Sequence, residues 1–306
     1  MTARGGSVPA AAFESLTVDA EGLPLHVRQR GPQGTPAVLF LHGWLDHSHS
    51  FDPLCEHLPE AWRTVLLDFR GMGQSGHAGP GAAYHLSDHL LDVEATLDGL
   101  ALPPVHLVGH SLGGIVALAY AAARPERVLS LTLIESLGPS GGPAAGALQR
   151  LRGFLDDSRR PPNRKRYPTV EAAAERLRQA NPTLSPDAAL LFARHGTRRT
   201  PEGDFAFTFD PRHRRRFGQG YDEAQWLALE AAVTCPVQLL RGTDGLSPAP
   251  ELLEARLAAL RTLAAPPRFF EGGHHVHLEQ PAAVADAIAA FVTRASAGPA
   301  SEASSS

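Results

Sequence analysis

The sequence predicts an α/β fold in which a mostly parallel central sheet is covered by helices on both faces. Apolar runs of strand length alternate with helical stretches from about residue 37 to 138, and the alternation resumes near residue 235. Such alternation is typical of parallel sheets, because helical crossovers cover both sheet faces. A chain of 306 residues with 43% hydrophobic content can bury a substantial core, so we expect one enzyme domain.

The pattern changes between the two parts of the predicted sheet. Residues 139–225 lose the strand signals and are helical, Pro-broken and Arg-rich. We predict that they form a helical cap inserted after the sixth strand, above the carboxyl ends of the strands, where it would control substrate choice. The core is then 13–138 and 226–294. The Gly/Ala/Ser-rich ends, 1–12 and 295–306, are expected to be flexible tails.

A candidate nucleophile lies early in the chain. Residues 109–114 read GHSLGG and connect the apolar run Val105–Val108 to an alanine-rich helical stretch. This pattern predicts a strand, a sharp turn and a helix, with Ser111 displayed at the turn. We expect Gly109 and Gly113 to be needed so that strand and helix pack closely around the strained serine. A G-x-S-x-G pattern can also be a plain Gly/Ser turn, but its position between strand and helix favours a nucleophile.

Acyl transfer by a serine also needs donors for the developing oxyanion. His42-Gly43-Trp44 follows the predicted strand Ala37–Leu41, and we expect the backbone N–H of Trp44 to supply one donor. The backbone N–H of Leu112, the residue after Ser111, would supply the second. It lies at the start of a helix, where the helix dipole also favours negative charge.

The base is predicted in a glycine-rich loop near the end of the chain. Residues 272–281 read GGHHVHLEQP and follow the predicted strand Arg268–Phe270. His274 comes directly after the glycine pair and is the favoured base, with His275 and His277 as competitors; His277 is expected to support the loop. Closely spaced histidines can ligate zinc, but no Cys or HExxH pattern accompanies them, so we expect no metal.

With these motifs in this order, the chain resembles the α/β-hydrolase superfamily over nearly its whole length. The HGW loop, the segment Asp68–Ser75 (DFRGMGQS), the GHSLGG turn and the late histidine loop carry the resemblance. More narrowly, HGWLD at 42–46, Ile134–Pro139 and Phe209–Arg212 are similar to the serine hydrolase-like branch and its bacterial relatives. The resemblance implies an α/β-hydrolase fold and, with serine at position 111, acyl transfer to water without a cofactor.

Two carboxylates compete as the acid that orients the base. Glu135 follows the predicted strand Val128–Ile134, and Asp244 follows Val237–Leu240. In most α/β-hydrolases the acid follows the seventh strand in a G-x-x-D register, whereas here Gly245 stands in that position and Asp244 one position earlier. The resemblance around residue 135 implies the strand-six acid, so we favour Glu135. Asp244 stays the alternative acid, or a simple turn residue.

Several other marked residues have ordinary explanations. The segment Asp68–Gly71 is expected to be architectural, and His110 is expected to pack beside the nucleophile rather than transfer protons. Five further histidines are scattered on polar positions and are predicted at the surface: His47, His49, His57, His85 and His89.

Composition limits the class of partner and the compartment. The net charge of −4 argues against a nucleic-acid-binding protein, which would be strongly basic. The two cysteines, Cys55 and Cys235, form no CxxC pair and fit a reducing compartment. Neither a secretory signal nor an apolar run of about 20 residues is present, so we expect a cytoplasmic enzyme without membrane partners. The oligomeric state stays open.

Charge is unevenly distributed along the chain. Residues 150–216 carry 16 Lys and Arg against 8 Asp and Glu, a net +8, which leaves −12 for the rest. One interpretation is that the cap attracts an anionic substrate. The favoured one is that runs such as Arg159–Arg166 are solvated loops, and that opposite charges help cap and core to dock.

These residues together predict a serine hydrolase of carboxylic esters. Ser111 would attack the acyl carbon, His274 would move the proton, and Glu135 or Asp244 would orient the imidazole. The same residues could open lactones or cleave carbon–carbon bonds, so a lactonase or a carbon–carbon bond hydrolase is the alternative enzyme. A ligand-binding protein on a hydrolase fold is the alternative outside enzymes. The expected partner is a small-molecule ester or lactone.

Overall fold

The computed structural model describes residues 12–33, 36–139, 144–161 and 163–297. Most of the two predicted tails, residues 1–11 and 298–306, therefore lies outside the described residues. The eight strands of the main sheet are β1 Glu14–Ala20, β2 Leu23–Arg30, β3 Ala37–Leu41, β4 Arg63–Leu67, β5 Val105–His110, β6 Val128–Ile134, β10 Val237–Gly242 and β11 Arg268–Phe270.

These strands form one sheet in the order β1-β2-β4-β3-β5-β6-β10-β11. The six strands from β4 to β11 run parallel to their neighbours, and only the β1–β2 and β2–β4 pairs are antiparallel. The prediction of a mostly parallel sheet is therefore confirmed. The strand order places β5 near the centre, so the turn that follows it opens at the middle of the carboxyl edge.

Helices cover both faces of this sheet, as predicted. The helices of the described core are α1 Asp52–Cys55, α2 Leu86–Gly99, α3 Leu112–Ala123, α7 Glu223–Ala232, α8 Pro250–Ala259, α9 Val276–Glu279 and α10 Pro281–Ser296. Alternate β3 residues enter different clusters: Leu39 packs in the core that α2 and α3 cover, whereas Phe40 packs with α1 and α10. A fully apolar strand is required because both of its faces are buried.

The segment between β6 and β10 contains the expected helices together with a small sheet that the sequence did not predict. The helices are α4 Ala147–Ser158, α5 Val170–Ala180 and α6 Pro186–Gly196; the strands are β7 Arg166–Tyr167, β8 Thr197–Arg199 and β9 Phe205–Phe207, paired antiparallel in the order β7-β9-β8. Strands of two or three residues are too short for alternation to be recognised.

Two predicted boundaries are wrong by a few residues. Helix α7 begins at Glu223, so the boundary between 225 and 226 falls inside one helix; its Trp226 is buried in the main core. Helix α10 continues to Ser296, so residues 295 and 296 are helical instead of belonging to a tail. Boundaries are difficult to predict because helix ends depend on caps and packing.

The described residues between β6 and α7, which the sequence predicts to be a cap and which are called the cap segment below, pack on the rest of the chain through buried side chains and backbone hydrogen bonds. His47 Nε2 lies 3.0 Å from the carbonyl oxygen of Phe192 in α6, and the backbone N–H of Asp210 donates to the carbonyl of Gly71 at 2.7 Å. Phe192 itself joins the main apolar core. Within the described part of the chain, no helix has the length and apolar character that crossing a bilayer requires.

Candidate active site

Ser111 lies in the sharp turn between β5 and α3. Its backbone is in the left-handed region, with φ 51° and ψ −115°, which a non-glycine residue adopts only at a cost. The backbone N–H of Ser111 donates to the carbonyl of Ile134 at 3.0 Å and fixes the turn against β6. A Cβ atom at Gly109 would collide with the carbonyl of Gly113, and one at Gly113 with the carbonyl of Leu41. The expected need for both glycines is confirmed.

His274 lies in the loop after β11 and faces the serine. Its Nε2 is 3.0 Å from Ser111 Oγ, a normal hydrogen-bond distance. Its own carbonyl oxygen accepts a hydrogen bond of 2.8 Å from Nε2 of His110, the residue before the serine. The backbone N–H of Gly273 donates to the carboxylate of Glu279, which holds the other side of the loop. His274 is therefore fixed from both sides.

Glu135 completes the row of side chains. It directly follows β6, is 6% exposed and has φ 51°, so its backbone is also in the left-handed region. Its Oε2 lies 3.4 Å from His274 Nδ1. The carboxylate also accepts backbone N–H groups from Gly242 at 2.7 Å and Leu246 at 2.9 Å. These two bonds anchor the carboxylate and hold it towards the imidazole.

Asp244, the alternative acid, is directed elsewhere. Its side chain is exposed and accepts a hydrogen bond of 3.5 Å from the hydroxyl of Thr243. Its backbone N–H donates to the carbonyl of Gly272 at 2.8 Å, which ties the β10 turn to the histidine loop. The structure thus brings together Ser111, His274 and Glu135, and it does not bring Asp244 into contact with the imidazole.

The two candidate oxyanion donors flank the serine. Leu112 opens α3, and Gly43, next to Trp44, lies against the nucleophile: a Cβ atom at Gly43 would be 3.5 Å from the Cβ of Ser111. Within the described residues, the backbone N–H groups of Trp44 and Leu112 donate no hydrogen bond. The Trp44 side chain reaches the cap, where its Nε1 donates to the carbonyl of His213 at 3.2 Å.

A cluster of buried polar side chains packs against the loop that contains His274. A carboxylate oxygen of Asp46 and one ring nitrogen each of His110 and His277 lie within 4.8 Å of one another, and all three side chains are buried. Burial raises the pKa of Asp46 to about 8 and lowers the pKa of both histidines well below the ordinary value. The cluster is therefore neutral near pH 7. By distance these residues could hold a metal ion, as could His49, Asp52 and His195.

Three histidines predicted at the surface are not fully exposed. His47 is 2% and His89 is 4% exposed, and burial lowers the pKa of His47 to about 3. The His49 ring stacks on His195 of the cap at 3.7 Å between ring centroids. The pattern of apolar neighbours misses these residues because they lie between the core and the cap, where a polar side chain is buried by a distant segment.

The segment that begins at Asp68 is architectural, as predicted. Asp68 accepts hydrogen bonds from the backbone N–H groups of Ser48 at 2.6 Å and Gln74 at 2.9 Å, and its Oδ2 lies 2.8 Å from His26 Nδ1. Burial alone would raise the pKa of Asp68, but the His26 bond and nearby positive charge hold it well below its ordinary value. The carboxylate thus holds three chain segments together below the site.

Two cavities meet at the Ser111–His274 pair. The larger, about 680 Å³, lies between core and cap and is lined largely by aromatic and apolar side chains together with Arg176 and Arg214. The smaller, about 510 Å³, extends past Glu135 towards α8. Both volumes are within the usual range for small-molecule sites. A substrate with two arms could therefore place one in each cavity.

Comparison with known proteins identifies the family of this chain. A family model described as the alpha/beta hydrolase fold matches residues 36–281. The chain belongs to the α/β-hydrolase superfamily. Among curated relatives of this hydrolase, a serine hydrolase-like protein of Danio rerio is 33% identical over 271 residues, 86% of this chain and 83% of the relative. A probable serine hydrolase of Drosophila melanogaster is 28% identical over 294 residues, which are 93% of this chain and 89% of the relative.

Solved structures show the same fold for this α/β-hydrolase. A hypothetical protein from Pseudomonas aeruginosa PAO1 is 34% identical, with a TM-score of 0.82, over 92% of this chain and all of the other (100%). The thioesterase domain from the curacin biosynthetic pathway is 28% identical, with a TM-score of 0.80, and the match covers 91% of this chain and 99% of that domain. The predicted superfamily and fold are confirmed, and the relatives support a hydrolase that acts on a small molecule.

Proposed function

We propose that this α/β-hydrolase is a serine hydrolase of carboxylic esters. The observation that carries the proposal is the continuous row of side chains in which Ser111 Oγ lies 3.0 Å from His274 Nε2 and His274 Nδ1 lies 3.4 Å from Glu135 Oε2. A nucleophile, a base and an orienting acid in this arrangement are what acyl transfer requires. The row opens into two cavities, so a substrate can reach the hydroxyl.

The proposed reaction proceeds through an acyl-enzyme. Ser111 Oγ attacks the ester carbonyl while His274 Nε2 accepts the hydroxyl proton, and Glu135 stabilises the resulting imidazolium through Nδ1–H. The backbone N–H groups of Trp44 and Leu112 bind the oxyanion. The imidazolium then returns its proton to the leaving alcohol. Water, deprotonated by His274, releases the acid and regenerates the free serine.

The cap has a defined part in this proposal. Phe192, Phe207 and Phe209 of the cap line the larger cavity, opposite Ser111 and His274 of the core. Apolar walls of this kind exclude water from the reaction and select the shape of the substrate. We therefore assign substrate choice to the segment between β6 and α7.

Thioesters are a second candidate substrate class. The thioesterase domain from the curacin biosynthetic pathway is 28% identical to this chain, and the match covers 99% of that domain. The same triad would attack a thioester, because the acyl carbon and the oxyanion are the same and only the leaving group differs. Lactones and carbon–carbon bond cleavage remain the alternatives with the same residues.

The test is hydrolysis of p-nitrophenyl esters from acetate to decanoate by the wild type, Ser111→Ala and Ser247→Ala. Ser247 is an exposed serine in the wall of the smaller cavity and serves as the matched control. We expect Ser111→Ala to lose about four to six orders of magnitude in kcat, whereas Ser247→Ala keeps most of its activity. Full ester turnover by Ser111→Ala would contradict the mechanism. Acyl-CoA thioesters measured in parallel decide between the two substrate classes.

A further inference from the structure

Five arginines of the cap pair with cap carboxylates, whereas two arginines that line the larger cavity do not. The pairs are Arg160 and Arg216 with Asp157, Arg166 with Glu202 and Asp204, Arg178 with Glu175, and Arg212 with Asp210. Arg176 and Arg214 each stand two positions from a paired arginine, yet neither has a carboxylate partner within the described residues. Both line the cavity that contains Ser111.

These ion pairs also argue against docking as the reason for the cap charge. The salt bridges of five cap arginines all join acids of the cap itself: Arg160, Arg166, Arg178, Arg212 and Arg216. These ion pairs therefore do not support the favoured sequence interpretation, attraction between a positive cap and a negative core. Two of the arginines that these ion pairs do not include, Arg176 and Arg214, line the candidate substrate site.

Arg176 and Arg214 both line the cavity, and their positive charges interact. The Cζ atom of Arg214 lies 4.7 Å from the ring centroid of Phe209, another wall residue. Partial burial is the main cause that lowers the pKa of Arg214, and the positive charge of Arg176 lowers it further. Both side chains are solvent-exposed, and two cations whose charges repel each other gain from a shared anion.

Within the described part of the chain, no carboxylate of the cavity wall forms a salt bridge with either arginine. Asp46 is the acidic residue among the lining side chains, and it lies in the buried cluster behind the nucleophile. Burial raises its pKa to about 8, so it is mostly protonated at neutral pH. The cap side of the cavity therefore carries the positive charges of Arg176 and Arg214, whereas the Asp46 side chain on the core side is neutral.

We propose that Arg176 and Arg214 form a subsite for an anionic oxygen group, a carboxylate in the first place, on the substrate that Ser111 attacks. The proposal rests on the proposed function and names its substrate class: a half-ester or half-thioester of a dicarboxylic acid, or an ester whose alcohol part carries an acid. Guanidinium groups bind carboxylates through two parallel N–H···O bonds, so they recognise both charge and orientation.

The first experiment compares matched charged and neutral esters. Mono-p-nitrophenyl glutarate, adipate and suberate are each paired with the corresponding methyl p-nitrophenyl diester, and 3-carboxy-4-nitrophenyl octanoate is paired with p-nitrophenyl octanoate. We expect the wild type to prefer the charged member of at least one pair about tenfold or more in kcat/KM. The pair that shows the preference identifies which half of the substrate carries the anion. No preference in any pair overturns the subsite.

Arginine variants show whether the preference is local. Arg176→Gln and Arg214→Gln should each lose most of this preference, because kcat/KM should fall much more for the charged esters than for the neutral ones. Arg159→Gln removes the same charge from an exposed cap position that does not line the cavity, and it should keep the preference. If Arg159→Gln loses as much as the other two variants, the effect is general attraction by the cap, and the proposed subsite is wrong.

Binding of suberate to Ser111→Ala separates this inference from the proposed function. Calorimetry should show suberate binding that Arg176→Gln weakens in the same background, with dimethyl suberate, the uncharged diester, bound equally by both proteins. Arginine-dependent suberate binding without any ester turnover by the wild type would contradict the esterase and retain the subsite. Ester turnover without arginine-dependent suberate binding would contradict the subsite alone.

Discussion

The carboxylate of Glu135 lies directly against the α-carbon of Gly245. A Cβ atom at position 245 would collide with both carboxylate oxygens and with the carbon between them. Position 245 is where the strand-seven acid of most α/β-hydrolases is expected, and the strand-six acid fills that space here. A side chain at position 245 and the carboxylate of Glu135 cannot occupy this space together. Glutamate at 135 therefore requires glycine at 245.

Exchange of each candidate acid should identify the one that acts. Glu135→Gln keeps the shape but loses the charge that stabilises the imidazolium, so we expect about four orders of magnitude lower kcat on p-nitrophenyl butyrate. Asp244→Asn serves as the control, because its side chain is exposed and does not reach His274. The assignment is wrong if the larger loss appears in Asp244→Asn.

The contact between Glu135 and Gly245 also predicts that the acid can be moved. Gly245→Asp alone should be destabilised and nearly inactive, because its new side chain meets the Glu135 carboxylate. Glu135→Ala alone should be nearly inactive for lack of an acid. The double variant removes the collision and supplies a carboxylate from β10, so its kcat should exceed that of either single variant by at least about tenfold. Simple additivity of the two losses would refute this relationship.

Much of this arrangement could be predicted from local sequence. The nucleophile turn is recognisable because Gly109 and Gly113 are sterically required around Ser111, and such a requirement leaves a short, contiguous pattern. The main strands are recognisable because burial on both faces demands continuous apolar runs. His274 could be chosen because it follows two glycines in a late loop.

Contacts between distant segments could not be predicted in the same way. The pairing of His47 with Phe192 joins residues 145 positions apart, and nothing next to His47 in the sequence indicates burial. Glu135 could be favoured only through the resemblance, since the backbone bonds from Gly242 and Leu246 that anchor it come from another strand end. The unpaired state of Arg176 depends on which acids lie nearby in space.

The bond from His110 to the carbonyl of His274 predicts a positioning role for His110. Loss of this 2.8 Å bond in His110→Phe should let the histidine loop relax, and we expect kcat to fall about five- to tenfold with little change in KM. His110→Gln can still donate to the carbonyl and should recover part of the loss. Steady-state kinetics with p-nitrophenyl butyrate measure both. Equal kcat values for the two variants would argue against the bond.

The raised pKa of Asp46 predicts how stability changes with pH. Burial raises this pKa from 3.8 to about 8, so between these values the folded protein retains a proton that the unfolded chain releases. The free energy of unfolding should therefore fall as pH rises through this window. Asp46→Asn has no such proton, and its amide oxygen can still accept the backbone N–H of His47, which the wild-type carboxylate accepts at 2.6 Å.

Urea unfolding of both proteins at pH 5, 6.5 and 8 measures the difference. Other groups that titrate in this range, such as buried Glu230 with a pKa raised by burial to about 8, are common to both chains and cancel when the two are compared. The stability of Asp46→Asn relative to the wild type should thus increase steadily from pH 5 to pH 8. If the two curves of stability against pH run parallel, the Asp46 carboxyl has no raised pKa in the folded protein. The buried cluster of Asp46, His110 and His277 is then charged near pH 7.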